Sequence, residues 1–274
     1  IRANSYSEVL KYARGYWVSL ILDLILTVFL FIAFTAMVAG SGAIFSEQFS
    51  LPYIYGNIIM IILSLLTTMM GIRGIVSAIS FVVPVLIAGV IFILVINIYG
   101  SIPFQTIDLN QLEYLSAEAP VFNWFFSAII YASYNIIIAI AILGPLGSQI
   151  NQDKIIKKGT VVGGIGLGLM AMSLLTVLLL NFPAVIEFEV PMIYVIGKFK
   201  EPVQIIYSIV LLAEIYTTAV SNLFGFTARI TNAAGNNYKY RTTLIITSIM
   251  ALIASQFGFS NIIHYLYPVV GYAG

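Results

Sequence analysis

The stretch Ala88-Gly-Val-Ile-Phe-Ile-Leu-Val-Ile96 decides the fold class, because it contains no polar side chain and continues an apolar segment that starts near residue 77. Ile58-Ile-Met-Ile-Ile-Leu63 has the same character. Strands of a membrane barrel alternate apolar and polar residues in short segments, whereas continuous apolar stretches are typical of helices that cross a bilayer. The sequence therefore predicts an all-α integral membrane protein.

The composition supports this class and excludes several others. The chain has 274 residues, of which 61% are hydrophobic and 8% charged, whereas a soluble domain has about 25% charged residues. Its formal net charge of +1 gives no basic excess, so we do not expect nucleic-acid binding. With no cysteine, one histidine (His264) and no acid–base pair at a suitable spacing, we expect neither an enzyme nor a resident metal.

The chain contains eight apolar segments that could cross a membrane, which requires about 20 residues each. They lie at 17–39, 53–71, 77–99, 121–146, 159–181, 203–228, 242–258 and 262–274. The chain begins with Ile1 and stops within the last apolar segment. We therefore expect residues 1–274 to form a single transmembrane domain within a longer protein.

The positions of Lys and Arg predict the orientation, because short cytoplasmic loops retain these cations. Ten of them fall on one predicted side: Arg2, Lys11, Arg14, Arg73, Lys154, Lys157, Lys158, Arg229, Lys239 and Arg241. Only Lys198 and Lys200 fall on the other side, where most of the acidic residues lie. The first segment is thus expected to run outward from the cytoplasm.

Two regions outside the spans are expected to be helical. Residues 5–17 place apolar and aromatic side chains on one helical face and charges elsewhere, which predicts a helix lying on the cytoplasmic membrane surface. A soluble amphipathic helix that packs on a partner is the alternative. Residues 183–201 are too apolar for a free loop and too short for a span, so they predict a short helix over the outer end.

Glu214 is the main candidate for chemistry inside the membrane. It lies about 16 Å into the 203–228 segment, near the middle of a hydrocarbon core of about 30 Å. Thr218 and Ser221 recur with it at helical spacing, and Thr217 and Asn222 flank them. An acid at this depth usually faces a cavity or an ion path. The alternative is a carboxyl that only hydrogen-bonds a neighbouring helix.

Asp23 is the second acid within a predicted span. It lies about 9 Å from the Tyr16-Trp17 pair at the membrane surface. Arg14 or a water-filled vestibule could satisfy it.

The 121–146 segment carries polar residues at its centre, in the run Tyr131-Ala-Ser-Tyr-Asn135. Transporters bind substrates where membrane helices are broken, so this cluster is a candidate site. A continuous helix with interhelical hydrogen bonds explains the same composition equally well.

Several motifs together resemble the bacterial YkvI-type membrane protein family, and through it the amino acid–polyamine–organocation transporter superfamily. They are Met37-Val-Ala-Gly-Ser-Gly-Ala-Ile-Phe-Ser-Glu-Gln-Phe49, Gly71-Ile-Arg-Gly-Ile75, Tyr131-Ala-Ser-Tyr-Asn135, Glu189-Val-Pro-Met-Ile-Tyr194, Ala213-Glu-Ile-Tyr-Thr-Thr218 and Tyr267-Pro-Val-Val-Gly271. The resemblance covers essentially the whole chain.

This resemblance implies a five-plus-five inverted-repeat fold of the LeuT type that lacks its first two helices here. The 121–146 segment would be the broken sixth helix. The resemblance places Tyr131, Ser133, Tyr134 and Asn135 near the substrate.

The 203–228 segment would be the eighth helix, on which sodium-coupled relatives carry paired hydroxyl residues. Thr217 and Thr218 resemble that pair, with Ser221 beside them. Glu214 would take up a proton or complete a site for a bound sodium ion.

The sequence thus predicts a secondary active transporter for a small polar solute, an amino acid or related amine. A proton or sodium gradient would drive it by alternating access. The alternative is a non-transporting sensor on the same fold, similar to the subunits of spore germinant receptors. The expected partners are the solute, H⁺ or Na⁺ and the lipid bilayer.

Overall fold

The structure, a computed structural model, describes residues 16–99, 123–150, 152–182, 184–231 and 238–265. These residues form helices and turns and no strand. The helices are α1 (Tyr16–Phe49), α2 (Tyr53–Met69), α3 (Gly71–Tyr99), α4 (Trp124–Gln149), α5 (Asp153–Leu180), α6 (Pro191–Gly197), α7 (Glu201–Thr231), α8 (Tyr238–Ala254) and α9 (Phe259–Tyr265). Two 3₁₀ turns, Ala184–Glu187 and Ser255–Phe257, complete the described elements.

Among the described helices, four are long and apolar enough to cross a membrane. They are Asp23–Phe49 within α1, and the whole of α3, α5 and α7. A bent pair, Tyr238–Phe257 with Phe259–Tyr265, adds a fifth if it counts as one span. The described parts of the eight predicted segments are helical except at Met70, Asn123, Asn181 and Gly258, so the all-helical class is confirmed. Of the eight predicted spans, four described helices, or five with the bent pair, have the length and composition of a span.

The helices α1 and α7 form an antiparallel pair at the centre of the bundle. At one end, the Gln48 amide nitrogen lies 3.2 Å from the Gln204 side-chain oxygen. At the other end, Asp23 forms an ion pair with Arg229. We refer to the end with Gln48 as the upper end and the end with Asp23 as the lower end.

The helix α1 crosses α2 at unusually short range. The Ser41 hydroxyl lies 3.0 Å from the Gly56 carbonyl oxygen, and both residues are buried. A Cβ at Gly56 would overlap the Ser41 carbonyl group, and one at Gly42 would overlap the Asn57 side chain. This contact explains why α1 extends beyond the predicted limit at residue 39, because the glycines here serve helix packing and do not end the helix.

The stretch predicted as a short helix at 183–201 contains the Ala184–Glu187 turn and α6. We call residues 184–200 the upper segment. Its apolar side chains Met192, Ile193, Val195 and Ile196 are buried among α1, α3, α5 and α7. This apolar burial holds the upper segment into the top of the bundle.

Polar contacts fix the upper segment on two sides. On one side, the Glu189 backbone N–H donates to Glu47 Oε1 at 3.0 Å. On the other, Lys198 Nζ donates to Asn181 Oδ1 at 2.8 Å, and Asn181 Nδ2 donates to Asn97 Oδ1 at 3.0 Å. The upper segment is therefore joined to α1, α3 and the end of α5.

The chain turns by 92° between the Ser255–Phe257 turn and α9. Gly258 allows this bend, because its φ of +88° lies in the left-handed region that favours glycine. Asn57 supports the bend from α2, since its amide nitrogen donates to the Ser255 hydroxyl at 2.9 Å.

One expectation from the resemblance is wrong. The described backbone of α4 is one continuous helix from Trp124 to Gln149, so it contains no break at Tyr131–Asn135. The structure agrees with the alternative prediction for that segment, a continuous helix. The predicted surface helix at 5–17 and the stretch after Tyr265 lie outside the described residues, apart from the start of α1.

Candidate functional site

Several polar residues of α7 form a strip along one side of the helix, which we call the polar strip. Successive residues are rotated by about 100°, so the members of this strip fall within a sector about 100° wide. They are Tyr207, Glu214, Thr218, Ser221, Asn222, Gly225 and Arg229. From Tyr207 to Arg229 the strip is about 33 Å long, comparable to the hydrocarbon core of about 30 Å.

The opposite side of α7 is apolar and accessible. Ile205, Ile206 and Ile209 are 40%, 64% and 58% exposed. On the same 100° rotation they point about 150°, 110° and 170° away from the centre of the polar strip. This division suits a helix with lipid on one side and a polar interior on the other.

Glu214 lies on the polar strip. Its side chain is exposed, yet many protein atoms surround it closely, and the Tyr207 phenol is within electrostatic range. Within the strip the residues above and below it, Tyr207 and Ser221, are buried. The Glu214 carboxyl makes no hydrogen bond or ion pair with the described residues. It is therefore available to bind a proton, a cation or a solute.

The hydroxyl residues beside Glu214 are held by their own helix. Thr217 Oγ1 donates to the Glu214 carbonyl oxygen at 2.9 Å, and Ser221 Oγ donates to the Thr217 carbonyl oxygen at 2.7 Å. Because each hydroxyl has used its proton, its lone pairs remain as acceptors. Oxygen atoms of this kind suit a sodium ion or a water molecule. In the described ranges, no group of three or more His, Cys, Asp or Glu side chains could hold a metal ion.

Asn222 is a buried amide two turns below Glu214. It is 0% exposed, and neither Nδ2 nor Oδ1 has a hydrogen-bond partner in the structure. A buried amide without partners costs roughly 2–7 kcal/mol relative to water. The sequence placed Asn222 beside the polar face, but only the packing shows that its amide lacks partners.

Asp23 and Arg229 occupy the lower end of the polar strip. Their side chains are 16% and 21% exposed, and together with Leu20, Leu24, Thr27 and Ile230 they line an open groove. The sequence suggested Arg14 as a partner for Asp23. The structure instead places Arg229 there, and Arg14 lies outside the described residues.

The predicted substrate residues lie on α4, which packs against both α1 and α7. Tyr131 is 59% exposed and Ser133 is partly buried. The exposed Asn135 donates its amide to the Tyr131 carbonyl oxygen at 2.7 Å. Tyr134 belongs to the same helix, but its side chain is outside what the structure describes.

The long apolar helices and the ionisable residues within them define a multi-pass helical membrane protein. No family model matches the chain, and no solved structure matches it. The chain is 30% identical over 272 residues to the uncharacterized membrane protein YkvI of Bacillus subtilis (strain 168), which covers 99% of the chain and 76% of that protein. It is also 28% identical over 278 residues to the uncharacterized protein YyaD of the same strain, with the same coverage. The chain belongs to the YkvI family of membrane proteins.

Proposed function

We propose that this protein is a secondary active transporter of a small polar solute, an amino acid or related amine. A proton or sodium gradient would drive it by alternating access. Glu214 would bind the coupling ion, and Thr217, Thr218 and Ser221 would supply further oxygen atoms around it. The transporter superfamily that the motifs resemble has this activity, and the family relationship with YkvI is consistent with it.

One observation carries the proposal: Glu214 offers an accessible carboxyl near the middle of the central helix, and no described residue forms a hydrogen bond or ion pair with it. A purely structural carboxyl would be expected to bond a neighbouring helix, because that is what stabilises a polar group at this depth. Glu214 instead lies on the polar strip, about 180° and 140° around α7 from the exposed Ile205 and Ile209. Intramembrane acids in such positions typically serve ion or substrate paths.

The position of α4 supports a solute site next to Glu214. The helix packs against α1 and α7, which are the two central helices. In our proposal, the solute binds between α4 and the polar strip, with Tyr131, Ser133, Tyr134 and Asn135 as candidate contacts. The continuous backbone of α4 means that side chains, and not a break in this helix, would provide these contacts.

The charge distribution supports an orientation in the bacterial plasma membrane. Among the described residues, Arg73, Lys154, Arg229 and Lys239 lie near the lower ends of their helices. Glu47 and Glu189 lie near the upper end. Because cations are retained in short cytoplasmic loops, we place the lower end, and with it residue 1, on the cytoplasmic side.

The test is uptake of labelled amino acids and amines into liposomes containing the full-length protein, with a proton or sodium gradient imposed separately. We expect accumulation that collapses with one of the two gradients. Glu214→Gln should abolish that accumulation while the protein stays folded, since the volume hardly changes. Glu201→Gln, at the upper end of the same helix, is the matched control and should transport normally.

Two results would contradict the proposal. Uptake by Glu214→Gln with unchanged dependence on the gradient would remove Glu214 from coupling. Ligands that raise the melting temperature of the protein without any net flux would favour a sensor.

A further inference from the structure

A polar group without partners is most costly where no water can reach it from outside the protein. Asn222 meets this description, because its side chain is fully buried and both of its polar atoms lack partners. Four other buried side chains, those of Ser64, Thr227, Ser248 and Asn57, also have an atom without a partner. Asn222 differs from them because it has two separate polar atoms, the donor Nδ2 and the acceptor Oδ1, and neither has a partner among the described residues.

The position of Asn222 connects it to the candidate coupling residue. It lies about 12 Å below Glu214 along α7, and about 10 Å above Arg229. All three residues belong to the polar strip. The Ser221 hydroxyl neighbours Asn222 and has free lone pairs, because its proton is donated to Thr217. Polar atoms therefore occur along the lower half of the strip as well as at Glu214.

We propose that Asn222 is the next contact of the coupling ion on the lower side of Glu214. Its Oδ1 would accept a hydrogen bond from water carrying a proton, or ligate a sodium ion, and its Nδ2 would donate to a second water molecule. The step is a movement of H⁺ or Na⁺ between the Glu214 carboxylate and water at Asn222, about 12 Å apart along α7, through intervening water molecules and past the Ser221 hydroxyl, with no covalent bond made to the amide. This inference rests on the proposed function.

The site suits a small hydrated cation better than a larger solute. Asn222 is 0% exposed, and its neighbours Leu223 and Phe224 are also buried. A water molecule needs only two to four polar partners and the space of about one water molecule. An amino acid would require the helices to separate at this level. Asn222 is therefore assigned to the ion and not to the solute.

The experiment compares Asn222→Leu with Thr227→Val in the liposome assay. Thr227 is the matched control, because it is also 0% exposed with a hydroxyl lacking a partner, but it points about 140° away from Asn222. We expect Asn222→Leu to lower gradient-driven accumulation at least about tenfold, a change of about 1.4 kcal/mol. Exchange of labelled for unlabelled solute at equal ion concentrations should persist. Thr227→Val should retain both activities.

A second variant covers the case in which Asn222→Leu does not fold. Asn222→Asp keeps the shape and adds a titratable group, so it should shift the pH or sodium concentration of half-maximal uptake. Equal behaviour of Asn222→Leu and Thr227→Val, or an unchanged ion profile for Asn222→Asp, would overturn the inference. If the wild-type protein shows coupled flux that Glu214→Gln abolishes, such a result leaves the proposed function standing. If the wild-type protein shows no coupled flux, the proposed function itself is contradicted.

Discussion

Asp23 on α1 and Arg229 on α7 form an ion pair at the lower end of the bundle. Both side chains are less than a quarter exposed. The pair therefore joins the two central helices at their lower ends. Without this pairing, each charge would need water or a lipid headgroup as its partner.

Asp23→Asn should lower the thermal stability of the purified protein, because it leaves Arg229 without its charge partner. Removal of one partner from a fully buried pair costs about 3–5 kcal/mol, and we expect less here because the site is partly exposed. The melting temperature in detergent measures the effect. The charge exchange Asp23→Arg with Arg229→Asp should recover part of the loss. A double variant no more stable than the two single variants would show that the pairing does not stabilise the bundle.

Gly56→Ala should destabilise the protein more than any alanine substitution at an open glycine. The new Cβ would overlap the Ser41 carbonyl group, which is backbone and cannot rotate away. Overpacking of this kind typically costs about 1–3 kcal/mol. Gly164→Ala is the control, since a Cβ there meets nothing within 4 Å. Equal melting temperatures for the two variants would contradict the close crossing of α1 and α2.

Asn181→Ala should loosen the upper segment. The substitution removes the acceptor for Lys198 and leaves the Asn97 side-chain oxygen without its donor. A buried polar atom that loses its partner costs about 1–3 kcal/mol. Amide hydrogen exchange should therefore accelerate within residues 184–200. Lys198→Ala removes one hydrogen bond and the contact of an exposed ammonium with the Tyr194 ring, and it should have a smaller effect.

The solute should protect a cysteine introduced at Ser133. The chain contains no cysteine, so a single-cysteine variant reports one position without background. We expect a transported solute to slow maleimide labelling of Ser133→Cys severalfold, because α4 would form one wall of the solute site. Gly164→Cys on α5 should label at the same rate with and without solute. Protection at both positions would indicate a general conformational change and not contact with the solute.

The helices themselves could be predicted from the sequence, because their apolar segments are long and continuous. The polar side of α7 was equally visible, since Glu214, Thr218 and Ser221 recur at helical spacing. The partner of Asp23 could not be predicted, because Arg229 is distant in sequence and only the antiparallel packing of α1 and α7 brings it close. The sequence near Asp23 suggested Arg14 as its partner instead.

The polar contacts between helices could not be predicted from the sequence either. Asn97, Asn181 and Lys198 lie on three different elements, and no periodicity links them. The break predicted in α4 followed from the resemblance together with the polar run and Gly144-Pro145-Leu-Gly147, but the helix continues through both to Gln149. The residues Tyr131–Asn135 contain neither proline nor glycine, so nothing in the local sequence opposes a continuous helix there.

The close crossing of α1 and α2 also limits how the protein can change shape. Neither helix can slide along the other without forcing a carbonyl group into the facing backbone, so the two should move together as one rigid body. A transport cycle would then have to displace α4 or the upper segment against this body. Spin labels placed on α1 and α2 should keep a constant separation throughout turnover, whereas a label on α4 should change its distance to both.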